Sequence, residues 1–180
     1  VERRSRIAAI SEKTGASGAL AFVTIDHDWH DGDQRLLSET QTLVYRAADA
    51  ATPTAQPGDR PQPRWDDVAP LNLSEAMLFR FSALTFNSHR IHYDHPYARK
   101  VEGYAGLVVH GPLLASLMLQ ALQLRHGPGS VTQFRFRARR PLILGEPAMI
   151  ASRAEAGGIV LAVIDDAGTE RLTANAALAG

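Results

Sequence analysis

Alternation of apolar and polar positions divides the chain into three stretches. Near the N-terminus, ALAFVTI at 19–25 and the alternating TQTLVYR at 40–46 read as strands, and the polar segment HDWHDGDQ between them reads as the turn of an antiparallel hairpin. Residues 49–70, DAATPTAQPGDRPQPRWDDVAP, show no period and hold half of the ten prolines, the composition of a linker or an extended surface crossing. From 71 to 180 the pattern is fullest. PLLASLMLQALQLR at 112–125 has helix formers throughout and apolar residues on nearly every face, with Pro112 at its start and Gly127 and Pro128 past its end. Such a helix needs to be enclosed. Alternating runs at 131–140, 147–155, 158–165 and 171–179, separated by RRPLILGEP, AGG and DAGTE, predict a four-stranded antiparallel meander against it. The first of these strands sets Phe134 and Phe136 on one face and Arg135, Arg137 and Arg139 on the other.

Composition narrows the class of protein. A chain of 180 residues, 45% hydrophobic, can bury a substantial core, and its 19 basic and 19 acidic side chains leave no net field to attract nucleic acid or an anionic membrane. There is no cysteine, so thiolate nucleophiles, disulfides and Cys-ligated metal centres are excluded. No stretch has the apolar length of a membrane span, and VERRSRIAAISEKTG lacks the apolar run of a signal peptide, so a cytoplasmic protein is expected. No G-x-S-x-G, P-loop, G-x-G-x-x-G or H-E-x-x-H is present, which leaves serine hydrolase, nucleotide-dependent and zincin chemistry without a foothold.

Chemistry concentrates in Phe81–Gly111, which holds four of the seven histidines and leads into the apolar helix. Histidine titrates near neutral pH, so this is a candidate proton-transfer site. The spacing His89-x-x-His92-x-x-His95 invites a metal reading, but histidines at successive three-residue steps drift around a helix and Arg90 intervenes, so no metal is expected. Asp94 and His95 read as turn residues, and Tyr93 and Tyr97 as packing.

LFRFSALTFNSHRIHYDHPYA, followed after a short gap by GLVVHGPLLASL, resembles the second half of the MaoC-like double-hotdog hydratases and dehydratases, in the branch of the itaconyl-CoA and mesaconyl-CoA hydratases and the mitochondrial 3-hydroxyacyl-thioester dehydratases. RFRARRPL at 135–142 extends the likeness, and SRIAAISEKTGASGALAFVTID with SETQTLVYR is similar to the end of the first half. The resemblance implies an α+β hotdog fold, an antiparallel sheet wrapped around a buried helix. Residues 1–48 would be a partial first hotdog consisting of strands only, 49–70 a linker and 71–180 the complete hotdog domain. The strands of the first part have no hotdog helix before them, so a preceding segment or another chain is expected to complete that half.

The implied activity is reversible hydration of an α,β-unsaturated acyl thioester, with coenzyme A or an acyl carrier protein bearing the substrate, no resident cofactor, and a homodimer as the assembly. Laying the family's Asp, Asn, His active-site pattern on this chain puts Asn87, His89 and His92 at those positions. Asn87 departs from the pattern, because an amide cannot accept a proton. His92 is then the expected general acid/base, Asn87 orients water or the thioester, and His89 is a second proton carrier or a structural hydrogen bonder. The Gly111 amide at the helix start is the expected donor to the thioester oxygen, with His110 shaping the pocket and the arginine row Arg135, Arg137, Arg139 and Arg140 available to phosphates of coenzyme A or to the phosphopantetheine of a carrier protein. Arg80 or Arg90 could meet the free carboxylate of a dicarboxylic acyl group. A hotdog thioesterase and a non-catalytic acyl-thioester-binding half-subunit are the competing readings; the thioesterase needs a carboxylate that Asn87 does not supply.

Overall fold

The computed structural model describes residues 1–15, 18–46 and 63–179, which fall into two compact units, 1–54 and 55–180. The greater part of the expected linker, 49–62, lies outside the described residues.

In the first unit, β1 (Glu2–Gly15), β2 (Gly18–Asp31) and β3 (Gln34–Arg46) form an antiparallel sheet in that order. The expected hairpin is β2–β3, but both strands run further than the apolar stretches and close on a turn at Gly32, which has φ +56°. β1 is a third strand where the sequence pattern indicated none. A bulge between Ile7 and Ala9 slips its alternation by one residue, so Ile7 and Ile10 share a face although they are three apart. Pairing sets Ile7, Ile10, Val23, Ile25, Leu37 and Tyr45 on one face and Arg4, Arg6, Asp26, Asp28 and Thr40 on the other. On that polar face Arg6 and Thr40 both reach Asp26, at 2.8 and 2.9 Å.

The second unit contains β4 (Asp67–Pro70), α1 (Glu75–Leu84), a 3-10 turn at Arg90–His92, α2 (His95–Lys100), α3 (Gly111–His126), β5 (Val131–Ala138), β6 (Met149–Glu155), β7 (Gly158–Ile164) and β8 (Glu170–Leu178). The four predicted strands are present within two residues at most ends. Their order is not a simple meander. The sheet has five strands, β4-β6-β7-β8-β5, all antiparallel. β4 comes from the end of the proline-rich stretch and sits at an edge, where Pro70 is tolerated. β5 pairs with β8 rather than with β6, because residues 139–148 carry the chain across to the other side of the sheet instead of making a hairpin.

That crossing segment is pinned. Val109 N–H donates to the Leu142 carbonyl at 2.8 Å, Leu144 N–H to the Leu107 carbonyl at 2.8 Å, and Val108 bridges Ile143. Leu142 is buried. The strip 107–109 that feeds α3 is thereby fixed between the crossing segment and the 3-10 turn, where Val108 N–H bonds the Ile91 carbonyl at 3.0 Å.

α3 buries Leu113, Leu114, Ala115, Met118 and Leu122 against Leu161, Val163, Leu172, Ala174 and Ala176 of the sheet. A side chain of that size removed from water contributes about 1.5–3 kcal/mol. Enclosure is on one side only: the sheet covers that stripe, whereas Leu124 in the last turn remains exposed. α1 adds Leu78 and Ser82, four residues apart on its inner face, and starts at Ser74, whose hydroxyl accepts from Met77 N–H. A helix packed in the curl of an antiparallel sheet is the hotdog arrangement.

Candidate active site

Three short pieces of backbone converge at the N-terminus of α3. The 3-10 turn brings up His92, the pinned strip 107–109 brings up Val108 and His110, and α1 brings up Ser82. His92 Nδ1 lies 2.7 Å from the Val108 carbonyl oxygen. A carbonyl only accepts, so Nδ1 carries the proton and Nε2 of the neutral ring keeps its lone pair. His92 is 8% exposed. Burial pushes its pKa below the ordinary histidine value, partly offset by the Val108 hydrogen bond and reinforced by nearby His89, so the ring is a neutral base at physiological pH.

His110 stacks on His92 with ring centroids 3.7 Å apart and planes 20° from parallel. It is 1% exposed, its Nε2 is 2.8 Å from Ser82 Oγ, and Phe81 meets it edge-on at 4.9 Å. Burial, with the neighbouring His92 adding to it, lowers its pKa to about 4.

A cavity of about 260 Å³ opens beside this cluster; its lining includes His92, Val108, Gly111 and Leu114 and also Arg139, Arg140, Leu142 and Arg171. None of its lining residues is an aspartate or glutamate. Gly111 is the first residue of α3, where helix amides lack intrahelical partners. A methyl group on Gly111 would meet only Ala138 Cβ and Leu172 Cδ1, each at 4.0 Å, and both residues also line the cavity. The scaffold therefore does not itself demand glycine there.

The chain's likenesses to other proteins agree with this geometry. The family model of hydroxyacyl-thioester dehydratase type 2 matches residues 1–144. The chain belongs to that family. It is 40% identical over 179 residues to the mesaconyl-C(4)-CoA hydratase of Chloroflexus aurantiacus, covering 99% of this chain and 63% of that protein. It is also 35% identical over 121 residues to the mitochondrial hydroxyacyl-thioester dehydratase type 2 of Schizosaccharomyces pombe, covering 65% of this chain and 39% of that one. The chain thus spans less than two thirds of the length of either relative. The crystal structure of HtdX from Mycobacterium tuberculosis superposes with a TM-score of 0.71 at 23% identity, over 97% of this chain and 67% of that one, and shares the fold.

The residues expected from the sequence are distributed about the cavity as follows. His92 and Gly111 line the same cavity. His110 adjoins it from behind and is not among its lining residues. His89 is exposed and stands edge-on to His92 at 5.6 Å. Asn87 is also outside the lining; its Oδ1 accepts from the His89 N–H at 3.1 Å, an Asx-type turn after Phe86, which takes φ +55°. Of the arginine row Arg139 and Arg140 reach the cavity, Arg139 with its Nε bonded to Thr173 Oγ1 at 3.1 Å, while Arg135 and Arg137 are exposed on β5. Arg80 and Arg90 are exposed, and Arg90 is held by Asp94 at 2.7 Å and lies over the Tyr97 ring. Asp94 caps α2 through the Tyr97 N–H.

Ser82 and Arg171 belong to the site without having been singled out in the sequence. Ser82 had a signal, a hydroxyl four residues after Leu78 on a helix face that must be apolar. Arg171 had none, because only the strand order brings it to the cavity. There it is bonded to Asp165 and the Pro141 carbonyl, at 3.0 and 2.8 Å, and ion-paired to Glu146 at 3.2 Å. Among the described residues no group of three or more His, Asp or Glu side chains is arranged to hold a metal ion, and no helix is long and apolar enough to cross a membrane.

Proposed function

We propose that this chain carries the catalytic half of a hydro-lyase that reversibly adds water across the double bond of an α,β-unsaturated acyl-CoA thioester. The observation that carries the reading is that His92 is the sole lining residue of the cavity able to exchange a proton near neutral pH, with its basic Nε2 fixed by the Val108 carbonyl and Gly111 on the same wall. The thioester oxygen docks at the Gly111 amide and the partial positive charge of the α3 N-terminus. His92 Nε2 takes a proton from water as the oxygen bonds to Cβ, and the double-bond electrons move to the thioester as an enolate. The enolate collapses and Cα takes the proton from the His92 imidazolium, so one imidazole serves first as base and then as acid. Dehydration is the same path reversed. The names of the two relatives, a hydratase of an acyl-CoA and a dehydratase of hydroxyacyl thioesters, support the class.

The substrate we favour is a short dicarboxylic acyl thioester such as mesaconyl- or itaconyl-CoA. The cavity is less than a nanometre across if compact, so arginines that line it together with His92 lie near the acyl group rather than at the far end of a pantetheine arm. Arg139 is therefore the expected partner of a free carboxylate, in place of Arg80 or Arg90. Arg135 and Arg137, exposed on β5, remain the candidates for coenzyme A phosphates. We take coenzyme A over an acyl carrier protein as the carrier, with no resident cofactor, a cytoplasmic setting, and a homodimer formed by edge-to-edge pairing of hotdog sheets. A thioesterase would need a carboxylate to aim water at the carbonyl carbon, and the cavity lining offers none.

The test follows the enoyl-thioester absorbance with crotonyl-CoA, mesaconyl-CoA and itaconyl-CoA, for the native chain and His92→Ala. Loss of the band with the native chain and not with the variant is the expected result. Release of free thiol identifies a thioesterase instead, and silence on both readouts a binding half-subunit.

A further inference from the structure

The buried pair Ser82–His110 takes no part in the steps above, yet it is built into the back of the site. His110 touches the protein on three sides: Ser82 Oγ at its Nε2 edge, Phe81 edge-on, and His92 across its face. His92 is in turn fixed at Nδ1 by Val108, two residues before His110 on the same pinned strip. The two imidazoles are therefore set by one piece of backbone, and among the described residues the side-chain hydrogen bond that orients the second ring comes from α1, 28 residues away in sequence.

Hydrogen-bond accounting fixes the protons. His110 Nδ1 is buried without a partner. A buried N–H left unpaired is the costlier alternative, so the network assigns the proton to Nε2, donated to Ser82 Oγ, and leaves Nδ1 as an unprotonated nitrogen. In that state His110 is an uncharged aromatic plate lying flat on His92. A neutral ring beneath an imidazolium attracts it through its π face, whereas a charged ring would repel it.

We infer that Ser82 and His110 form a positioning brace for His92: the Ser82 hydroxyl holds His110 in one tautomer and one plane, and the neutral His110 ring holds His92 flat and favours the imidazolium formed during turnover. This rests on the reading of His92 as the proton carrier. The other charged or titratable groups near the pair are His89, edge-on to His92, and Arg139, Arg140 and Arg171, which line the same cavity as His92. Arg171 is itself paired to Asp165 and Glu146, and burial is the main cause that keeps His110 uncharged, with His92 adding to it. The low pKa of His110 agrees with this arrangement.

The experiment combines nitrogen-15 NMR of the imidazole rings with steady-state kinetics on the native chain, Ser82→Ala and Ser82→Thr, with melting temperature as a control. The native chain is expected to show His110 as a single Nε2–H tautomer and His92 as Nδ1–H at neutral pH. Ser82→Ala is expected to mix the His110 tautomers, alter the His92 ring signals, and lower kcat about tenfold with KM little changed, the size set by one buried hydrogen bond. Ser82→Thr, which keeps the hydroxyl, is expected to restore both. The brace is overturned if Ser82→Ala leaves the ring signals and kcat unchanged, if it alters KM alone, or if its effect tracks a lower melting temperature and Ser82→Thr does not restore it. If the native chain hydrates no thioester, the proposed reaction fails separately, and unchanged His92 signals in Ser82→Ala still decide against the brace.

Discussion

The two units are built from similar antiparallel strands and do different things with them. In the first, the sheet β1-β2-β3 presents Ile7, Ile10, Leu37 and Tyr45 as exposed side chains, and its hydrogen bonds run mainly among its own polar residues. In the second, a sheet of comparable chemistry closes over α3 and takes Met118 and Leu161 out of water almost completely. Alternation alone makes a sheet. A site appears only where the sheet closes over one face of a helix, because the helix start then meets a strip of backbone and a histidine turn at a single point. The difference is one of enclosure, and enclosure is what lowers the pKa of His92, strips water from His110 and leaves the Gly111 amide beside a cavity.

The sharpest way to break the comparison is at His92, the proposed proton carrier. His92→Ala should lower kcat/KM for an enoyl thioester by roughly 10²–10⁴, the usual contribution of a positioned acid/base group. His27→Ala, at a histidine bonded to Ser5 on the sheet of the first unit, should leave the rate essentially unchanged. Equal losses in the two variants, read by enoyl absorbance, would mean that the chemistry is not confined to the second unit.

Next in size is packing. Met118→Ala removes a fully buried side chain under the sheet and should destabilise the second unit by about 2–5 kcal/mol. Ile10→Thr, at a residue 65% exposed, should change stability by less than about 0.5 kcal/mol. Denaturant melts of both variants measure the contrast directly. A large loss from Ile10→Thr would show that the apolar face of the first sheet is covered in solution.

Burial of the two imidazoles predicts an acid sensitivity for the second unit. The pKa of His110 falls from an ordinary 6.5 to about 4 on folding, and that of His92 falls as well. Between these limits the unfolded chain binds protons that the folded chain refuses, so stability is full above about pH 6.5 and declines as the pH drops toward 4. For His110 alone the loss approaches about 3 kcal/mol at the low end. His110→Phe should remove most of that slope in unfolding experiments at stepped pH; an unchanged slope would assign it to other groups.

How much of this was legible in the sequence follows from which signals are local. β6, β7 and β8 could be read because each is a short apolar-rich run set off by the breaks RRPLILGEP, AGG and DAGTE. β1 could not, because its bulge between Ile7 and Ala9 interrupts the period on which the reading depends. Strand order was out of reach for a different reason: whether β5 meets β6 or β8 is decided by the crossing segment, a long-range choice to which the pattern within each strand is indifferent. The same division holds in the site. His92 and Gly111 stand in motifs that announce them, whereas Ser82 and Arg171 reach the site only through the packing of α1 and the path of the segment after β5.

The smallest expected effect tests the one position where motif and geometry part. Asn87 stands where the family pattern has a carboxylate, yet its Oδ1 is engaged with the His89 N–H and it does not line the cavity. An aspartate keeps that acceptor, so Asn87→Asp should preserve the turn and change kcat/KM only a few-fold. Asn87→Ala loses the bond and should cost about 1 kcal/mol of stability, with a modest fall in rate as the histidine turn loosens. A gain of tenfold or more in Asn87→Asp, with a new acidic limb in the pH profile, would mean that position 87 reaches the substrate. Hydration would then run on two groups rather than on His92 alone. Because both variants leave the enclosed helix and the His92–Val108 bond untouched, the outcome separates what the loop contributes to chemistry from what it contributes to holding His92 in place.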